Sequence, residues 1–166
     1  MLIKYRSIQK NDAESIYLVA KSSWEYTYKN IFKSSFIKDY LDRYYSKEAI
    51  LEILPKVEAG EQFFYVALDG TKIIGYSNLV PGEEMMELAR IYLLPDYIGK
   101  GIGAKLIELG EEFMKSKSID RYFCFVNKGN KIGRRFYEKM GFQNIPGKES
   151  LSKEPEWCQW YMEKAL

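Results

Sequence analysis

The sequence predicts an α+β fold, a mixed and mostly antiparallel sheet of about seven strands flanked by helices. Three observations carry this. Strand-length apolar runs recur along the chain, and the central three, QFFYVAL (62–68), KIIGYSNLV (72–80) and MMELARIYLLP (85–95), are separated by the turn signals Asp69-Gly70 and Pro81-Gly82. Helical periodicity replaces the strand pattern both before and after this meander. No low-complexity linker or internal repeat intervenes, so residues 1–166 are expected to form one domain.

In chain order, LIKYRSI (2–8) alternates apolar and polar residues like a half-buried strand. Asn11 or Asp12 can cap the next helix, with Glu14 placed to reach back and Ile16, Val19, Ala20 and Ser23 on the inner face. In SSWEYTYKNIFKSSFIKDYLDRYYS, Phe36, Tyr40 and Tyr44 recur every four residues, which predicts one or two short amphipathic helices. SKEAILEILPKVEAG predicts another helix, kinked or ended near Pro55 and closed by Gly60. After the meander, Ile102, Leu106, Leu109, Phe113 and Met114 mark the inner face of a helix beginning near Gly101. RYFCFV (121–126) reads as a central strand, and residues 130–139 as a short helix. A further strand starts at Met140-Gly141-Phe142, and WCQWYMEKAL (157–166) is the last.

Composition narrows the function. A net charge of +2 with no basic block argues against nucleic acid. The N-terminus becomes charged at once, and no run approaches the ~18 apolar residues of a membrane span. A cytoplasmic protein without membrane partners is the expectation. Histidine is absent, which removes the commonest general base and metal ligand, and Cys124 and Cys158 have no zinc spacing, so no metal is expected. The cysteines read as reduced and structural, with an inter-subunit disulfide through Cys158 as the alternative. A homodimer is compatible with the aromatic terminal strand.

Three glycines in the stretch GKGIG (99–103) mark a backbone that can approach phosphate. A nucleoside-triphosphate loop needs Ser or Thr after its Gly-Lys, and here Gly101 follows Lys100. A dinucleotide fingerprint belongs in the first unit of a parallel sheet, whereas these glycines follow three antiparallel strands. What survives is a strand ending near Pro95 and a glycine-led helix N-terminus, a preformed anion site; a connection without ligand is the alternative.

The stretch ELARIYLLPDYIGKGIGAKLIELGEEF resembles the acetyl-coenzyme-A-binding segment of the GNAT family of N-acetyltransferases, a strand ending in Pro, then Q/R-x-x-G-x-G/A, then a helix. NKGNKIGRRFYEKMGF is similar to that family's second signature, N-x-x-A/G-x-x-F/L-Y-E-K-x-G-F, and DGTKIIGY matches the hairpin before the first. The resemblance spans about residues 60–166. It implies a sheet splayed between its fourth and fifth strands, with acetyl-coenzyme A as the cofactor. It also implies a diphosphate held by backbone N–H groups of Gly99, Gly101, Ile102, Gly103 and Ala104. Lys100, Lys105, Lys131 or Arg134 would balance the ribose phosphate. An extended pantetheine arm would lie along the strand near Leu93, whose N–H would polarise the thioester, with Asn130 bonding the arm or capping its helix. Ile98 departs from the pattern, since the family usually has Gln or Arg there.

Acetyl transfer requires that an ammonium of pKa about 10 lose a proton and that a thiolate of pKa about 8.5 gain one. The resemblance puts Tyr137 in the position of the proton donor to the thiolate. Against it stand fourteen tyrosines, most of which must simply pack. Glu87 is the candidate base, acting through water, or an exposed strand residue. Glu83 and Glu84 precede it, as negative potential for a cationic substrate or as a solvated turn. Trp24, Glu25, Tyr28, Phe32, Asp39 and Asp42 would form a substrate wall suited to an elongated cation. SWEYTYKNIFKSSFIKDYLDRYYSKEAI is similar to the polyamine (PaiA-like) branch, which implies a small-molecule amine such as spermidine or spermine. The alternatives are a protein N-terminus or lysine as acceptor, or a non-catalytic acetyl-coenzyme-A sensor.

Overall fold

The computed structural model describes residues 2–166; Met1, the first residue of the expected domain, lies outside them. The strands are β1 (Ile3–Ser7), β2 (Phe63–Asp69), β3 (Lys72–Pro81), β4 (Met86–Leu93), β5 (Arg121–Asn127), β6 (Gln143–Asn144) and β7 (Gln159–Ala165). The helices are α1 (Ala13–Tyr28), α2 (Ser34–Tyr44), α3 (Lys47–Leu51), α4 (Leu54–Glu58), α5 (Ile102–Ser116) and α6 (Lys131–Lys139). All seven strands join in one sheet in the order β1-β2-β3-β4-β5-β7-β6. Every neighbouring pair is antiparallel except β4 and β5, which run parallel.

One face of the sheet is covered by α1 to α4, where Ile16, Val19, Ala20, Leu41 and Ile50 pack on Phe64, Val66 and Tyr76. The other face receives α5 through Ile102, Leu106, Ile107 and Met114. Leu109 and Phe113, expected on the inner face of α5, sit at its margin, while Gly110 turns inward. A Cβ at Gly110 would come within 2.9 Å of a Leu79 methyl, so its hydrogen lets the helix settle close on β3.

Two irregularities of β4 shape the molecule. Its parallel pairing with β5 lasts for two rungs, Met86 with Tyr122 and Glu87 with Phe123. Beyond them β4 continues with β3 and β5 continues with β7, so the sheet splits into a wedge. The β3–β4 register also slips: Leu79 faces Leu88 and Asn78 faces Arg90, leaving Ala89 as a bulge.

Several expected details differ. Asp12 does not cap α1: its carboxylate turns back to accept from the Gln9 N–H (2.7 Å) and from both terminal nitrogens of Arg6 (2.6 and 2.9 Å). A single 3-10 turn, Lys10–Asp12, therefore precedes the helix. Of the two alternatives at Pro55 the helix ends rather than kinks, and a second helix not expected from the sequence, α4, starts there because proline fits its first turn. The strand expected from Met140 is the two-residue β6, since Gly141 takes a left-handed φ of +91°. Trp157 belongs to a 3-10 turn before β7, where it packs on Phe32 and Phe36 instead of pairing. Among the described residues no helix is long and apolar enough to cross a membrane.

Candidate active site

The wedge between β4 and β5 holds a cavity of about 230 Å³. Leu88, Ala89, Ile91 and Leu93 of β4 line one wall, Phe125 and Val126 of β5 the other, and Asn130, Phe136 and Tyr137 close it from α6. Tyr28 and Tyr92 enter from the helical face, and the glycines before α5 form the rim. This is a mostly apolar slot with a few directed polar groups, the usual character of a small-molecule site.

At the rim, Gly99 and Gly101 both adopt φ of +81°, a left-handed conformation that side chains resist, and a Cβ on either would meet nothing within 4 Å. The space over them is therefore open. The first backbone bond of α5 runs from Lys105 N–H to the Gly101 carbonyl (3.1 Å), so the amides of Ile102, Gly103 and Ala104 have no partner within the helix. They present the positive end of the helix dipole at the cavity's edge. A Cβ at Gly103 would lie 3.1 Å from the Phe136 ring, so this glycine lets α6 pack against the first turn of α5.

The edge of β4 is also directed. Leu94 donates its N–H to the Ile74 carbonyl on β3 (2.8 Å). Successive amides along a strand point to opposite edges, so the Leu93 N–H turns away from β3 and into the wedge.

Asn130 takes the capping role: its Oδ1 accepts the Gly133 N–H (2.8 Å), and its Nδ2 donates to the Tyr28 hydroxyl (3.3 Å). Burial, only partly offset by that bond, pushes the Tyr28 phenol up to about 12. Tyr137 packs against Phe136 and Phe142, and burial raises its phenol well above the ordinary value. It is a neutral hydroxyl across the physiological range. Glu87 stands on the last rung before the strands part, half-buried and next to Leu88 of the cavity wall but not itself in the lining; burial raises its carboxyl, and the nearby Arg90 charge opposes the rise.

The remaining predicted residues scatter. Trp24 is in the core, stacked on Tyr40 with centroids 4.5 Å apart, and does not line the cavity. Glu25 lies on the exposed side of α1, and Glu84 in the exposed turn before β4, so neither carboxylate reaches the cavity wall. Lys100 lies over the Tyr97 ring, 5.0 Å from its centroid. Lys105 pairs with Glu108 (3.0 Å) and Arg134 with Glu138 (2.9 Å), so both cations are engaged along their own helices. Ile98 stands at the cavity rim. Sequence reasoning missed Ala89, Phe125 and Tyr92 as wall residues. The bulge has no compositional signal, and MMELARIYL reads as an unbroken strand. Among the described residues no three His, Cys, Asp or Glu side chains gather as metal ligands.

Comparison with known proteins agrees with this geometry. The model of the Acetyltransferase (GNAT) family matches residues 25–142. Spermidine N(1)-acetyltransferase of Thermoplasma acidophilum is 32% identical over 144 residues, 86% of this chain and 89% of that protein. The crystal structure of PaiA N-acetyltransferase from Thermoplasma acidophilum in complex with coenzyme A superposes with a TM-score of 0.90 at 30% identity, covering 100% of both chains. A putative acetyltransferase of the GNAT family from Desulfovibrio desulfuricans superposes at 0.76 with 18% identity over 99% of each chain, a likeness of fold alone.

The cap on α6 is testable by stability. Asn130→Ala removes the acceptor for the Gly133 N–H and is expected to cost about 1 kcal/mol in urea unfolding, with Asn130→Asp recovering most of it. An unchanged midpoint for the alanine variant would remove the cap from the account of α6.

Proposed function

The chain belongs to the GNAT family of acetyltransferases, and on that premise we propose that it acetylates a primary amine of a polyamine such as spermidine, using acetyl-coenzyme A. The observation that carries this reading is the wedge with a glycine-led helix end at its rim. The residues present fit the cofactor. Free amides and open space over two left-handed glycines suit a diphosphate, and an unpaired strand edge suits an extended amide-bearing arm. The polyamine acceptor is supported by the 32% identical spermidine acetyltransferase and by the aromatic lining that Tyr28 and Tyr92 give the helical face.

When bound, acetyl-coenzyme A supplies the acetyl group activated as a thioester. The amides of Ile102, Gly103 and Ala104, with Gly99 and Gly101, hold its diphosphate. The Leu93 N–H, turned into the wedge, would polarise the thioester carbonyl as a preorganised dipole in an apolar slot. Glu87 accepts a proton from the acceptor ammonium, directly or through one water, and frees the lone pair. The Tyr137 hydroxyl donates to the departing sulfur. With its phenol raised by burial, Tyr137 gives up its proton only as negative charge accumulates beside it. Of the two protons the nitrogen loses, one ends on sulfur and one leaves to solvent.

Thiol release from acetyl-coenzyme A, measured against spermidine, spermine and lysine or N-terminal peptides, tests the acceptor. Turnover with the polyamines is expected; turnover with peptides alone would overturn the polyamine assignment. Gly101→Val forces a branched side chain into a left-handed conformation at the rim and is expected to weaken coenzyme A binding by about tenfold or more in calorimetry. Tyr137→Phe is expected to lower kcat about a hundredfold while leaving coenzyme A affinity intact. Unchanged turnover would exclude its hydroxyl from the reaction.

A further inference from the structure

The bulge at Ala89 re-aims two charged side chains. Across the β3–β4 ladder Val80 faces Glu87 and Asn78 faces Arg90. Val80 and Asn78 are two residues apart on β3, so they and their partners share one face of the sheet. On a regular strand Glu87 and Arg90, three residues apart, would point to opposite faces. The extra residue brings both to the face covered by α1 and α2.

Arg90 is anchored there at three points. Its Nη1 donates to Asn78 Oδ1 (2.8 Å) and its Nη2 to the Tyr44 carbonyl (3.5 Å), and its guanidinium lies over the Tyr45 ring, 5.1 Å from the centroid. Asn78 is fully buried, and its Nδ2 donates to the Phe63 carbonyl (2.9 Å) and to Gln62 Oε1 (3.3 Å). A buried amide committed on both ends is a rigid mount.

We propose that Arg90, mounted on Asn78, is the positioning residue for Glu87, holding it ionised on the last rung before the strands part so that it takes the proton of the acceptor amine. This rests on the reading of Glu87 as the base. Burial works against that charge and Arg90 works for it. Glu163, across Phe123 on β7, is paired with Arg121 and Lys148, and the nearer neighbours of Glu87 are uncharged. On β3 they are the neutral Asn78 and Val80, and on β5 the Cys124 thiol, which burial holds protonated. From α2, Tyr44 and the adjoining Tyr45 engage Arg90.

The test is the pH profile of kcat/KM for the wild type, Arg90→Gln, Arg90→Lys and Glu87→Gln, with thermal unfolding recorded for each. Arg90→Gln keeps an amide able to bond Asn78 while deleting the charge. It is expected to move the acidic limb upward by about half to one pH unit. Arg90→Lys is expected to hold the limb near the wild-type position. The substrate's own ionisation is common to all four proteins, so differences between them belong to the enzyme. If Arg90→Gln lowers activity by the same factor at every pH, Arg90 is structural and the inference is overturned. If Glu87→Gln retains the wild-type limb, the base reading itself fails, a separate result. Should Arg90→Gln not fold, Arg90→Met makes the same prediction.

Discussion

Everything in this site depends on β4 and β5 pairing for two rungs and then parting. A sheet interior normally satisfies each strand's N–H and C=O groups on both sides, and groups left unpaired away from water are costly. Here the inner edges of both strands beyond Glu87 and Phe123 face each other across a gap. The gap persists because the strands are held from outside it. β4 is bound along its length to β3, and β5 pairs with β7 through seven residue pairs. The helices bridge the split, with α5 packed on β3 through Gly110 and against α6 through Gly103 and Phe136. The fold thus maintains two exposed edges that an amide-bearing ligand can pair with. The wedge is a binding site before it is a catalytic one.

Burial sets the chemistry available inside it. Without histidine, acid and base must come from groups whose ordinary pKa values lie far from neutrality, a carboxylate and a phenol. Burial raises both, Tyr137 in the cavity wall and Glu87 on the rung before the strands part. For Tyr137 the shift holds the proton on the phenol, as the proposed donor role requires. For Glu87 burial raises the carboxyl and the Arg90 charge opposes the rise, a balance the proposed role of proton acceptor would draw on. Burial thus shifts both groups in the same direction, toward the protonated form, and the Arg90 charge opposes that shift at Glu87 alone.

The fold was largely legible because its signals are local. The Asp69-Gly70 turn, the alternation of LIKYRSI and the glycine-led start of α5 each declare themselves within a few residues, and apart from β6 and the stretch around Pro55 the helix and strand boundaries fell within a residue or two. The glycine-led helix start at the cavity rim was legible for the same reason. Sites assembled across the chain were less so. Trp24 carries the right chemistry for a cation wall, but the helical period that brings Tyr28 to the cavity places Trp24 in the aromatic core with Tyr40. Glu25, one residue on, faces solvent. The Asp12 cap failed because Arg6, on the preceding strand, offered the carboxylate a bidentate partner. The bulge at Ala89 arises from the register of two strands, a property that neither strand states alone.

Ile98 shows how the labour is divided. The resemblance led to a polar side chain at that position, and an isoleucine there contributes no hydrogen bond to a diphosphate. Backbone amides and a helix dipole carry no titratable proton, so the proposed grip from Gly99 to Ala104 adds no ionisation of the protein's own to cofactor binding. Two of the nearby cations, Lys105 and Arg134, are paired with glutamates on their own helices, which further separates the cradle from side-chain ionisation. In the proposed reading, cofactor binding and proton transfer fall to different kinds of group, amides at the rim and ionisable side chains at the split. On the proposed reading, the pH dependence would be concentrated in the pair Glu87 and Arg90, brought to one face by a single unpaired alanine.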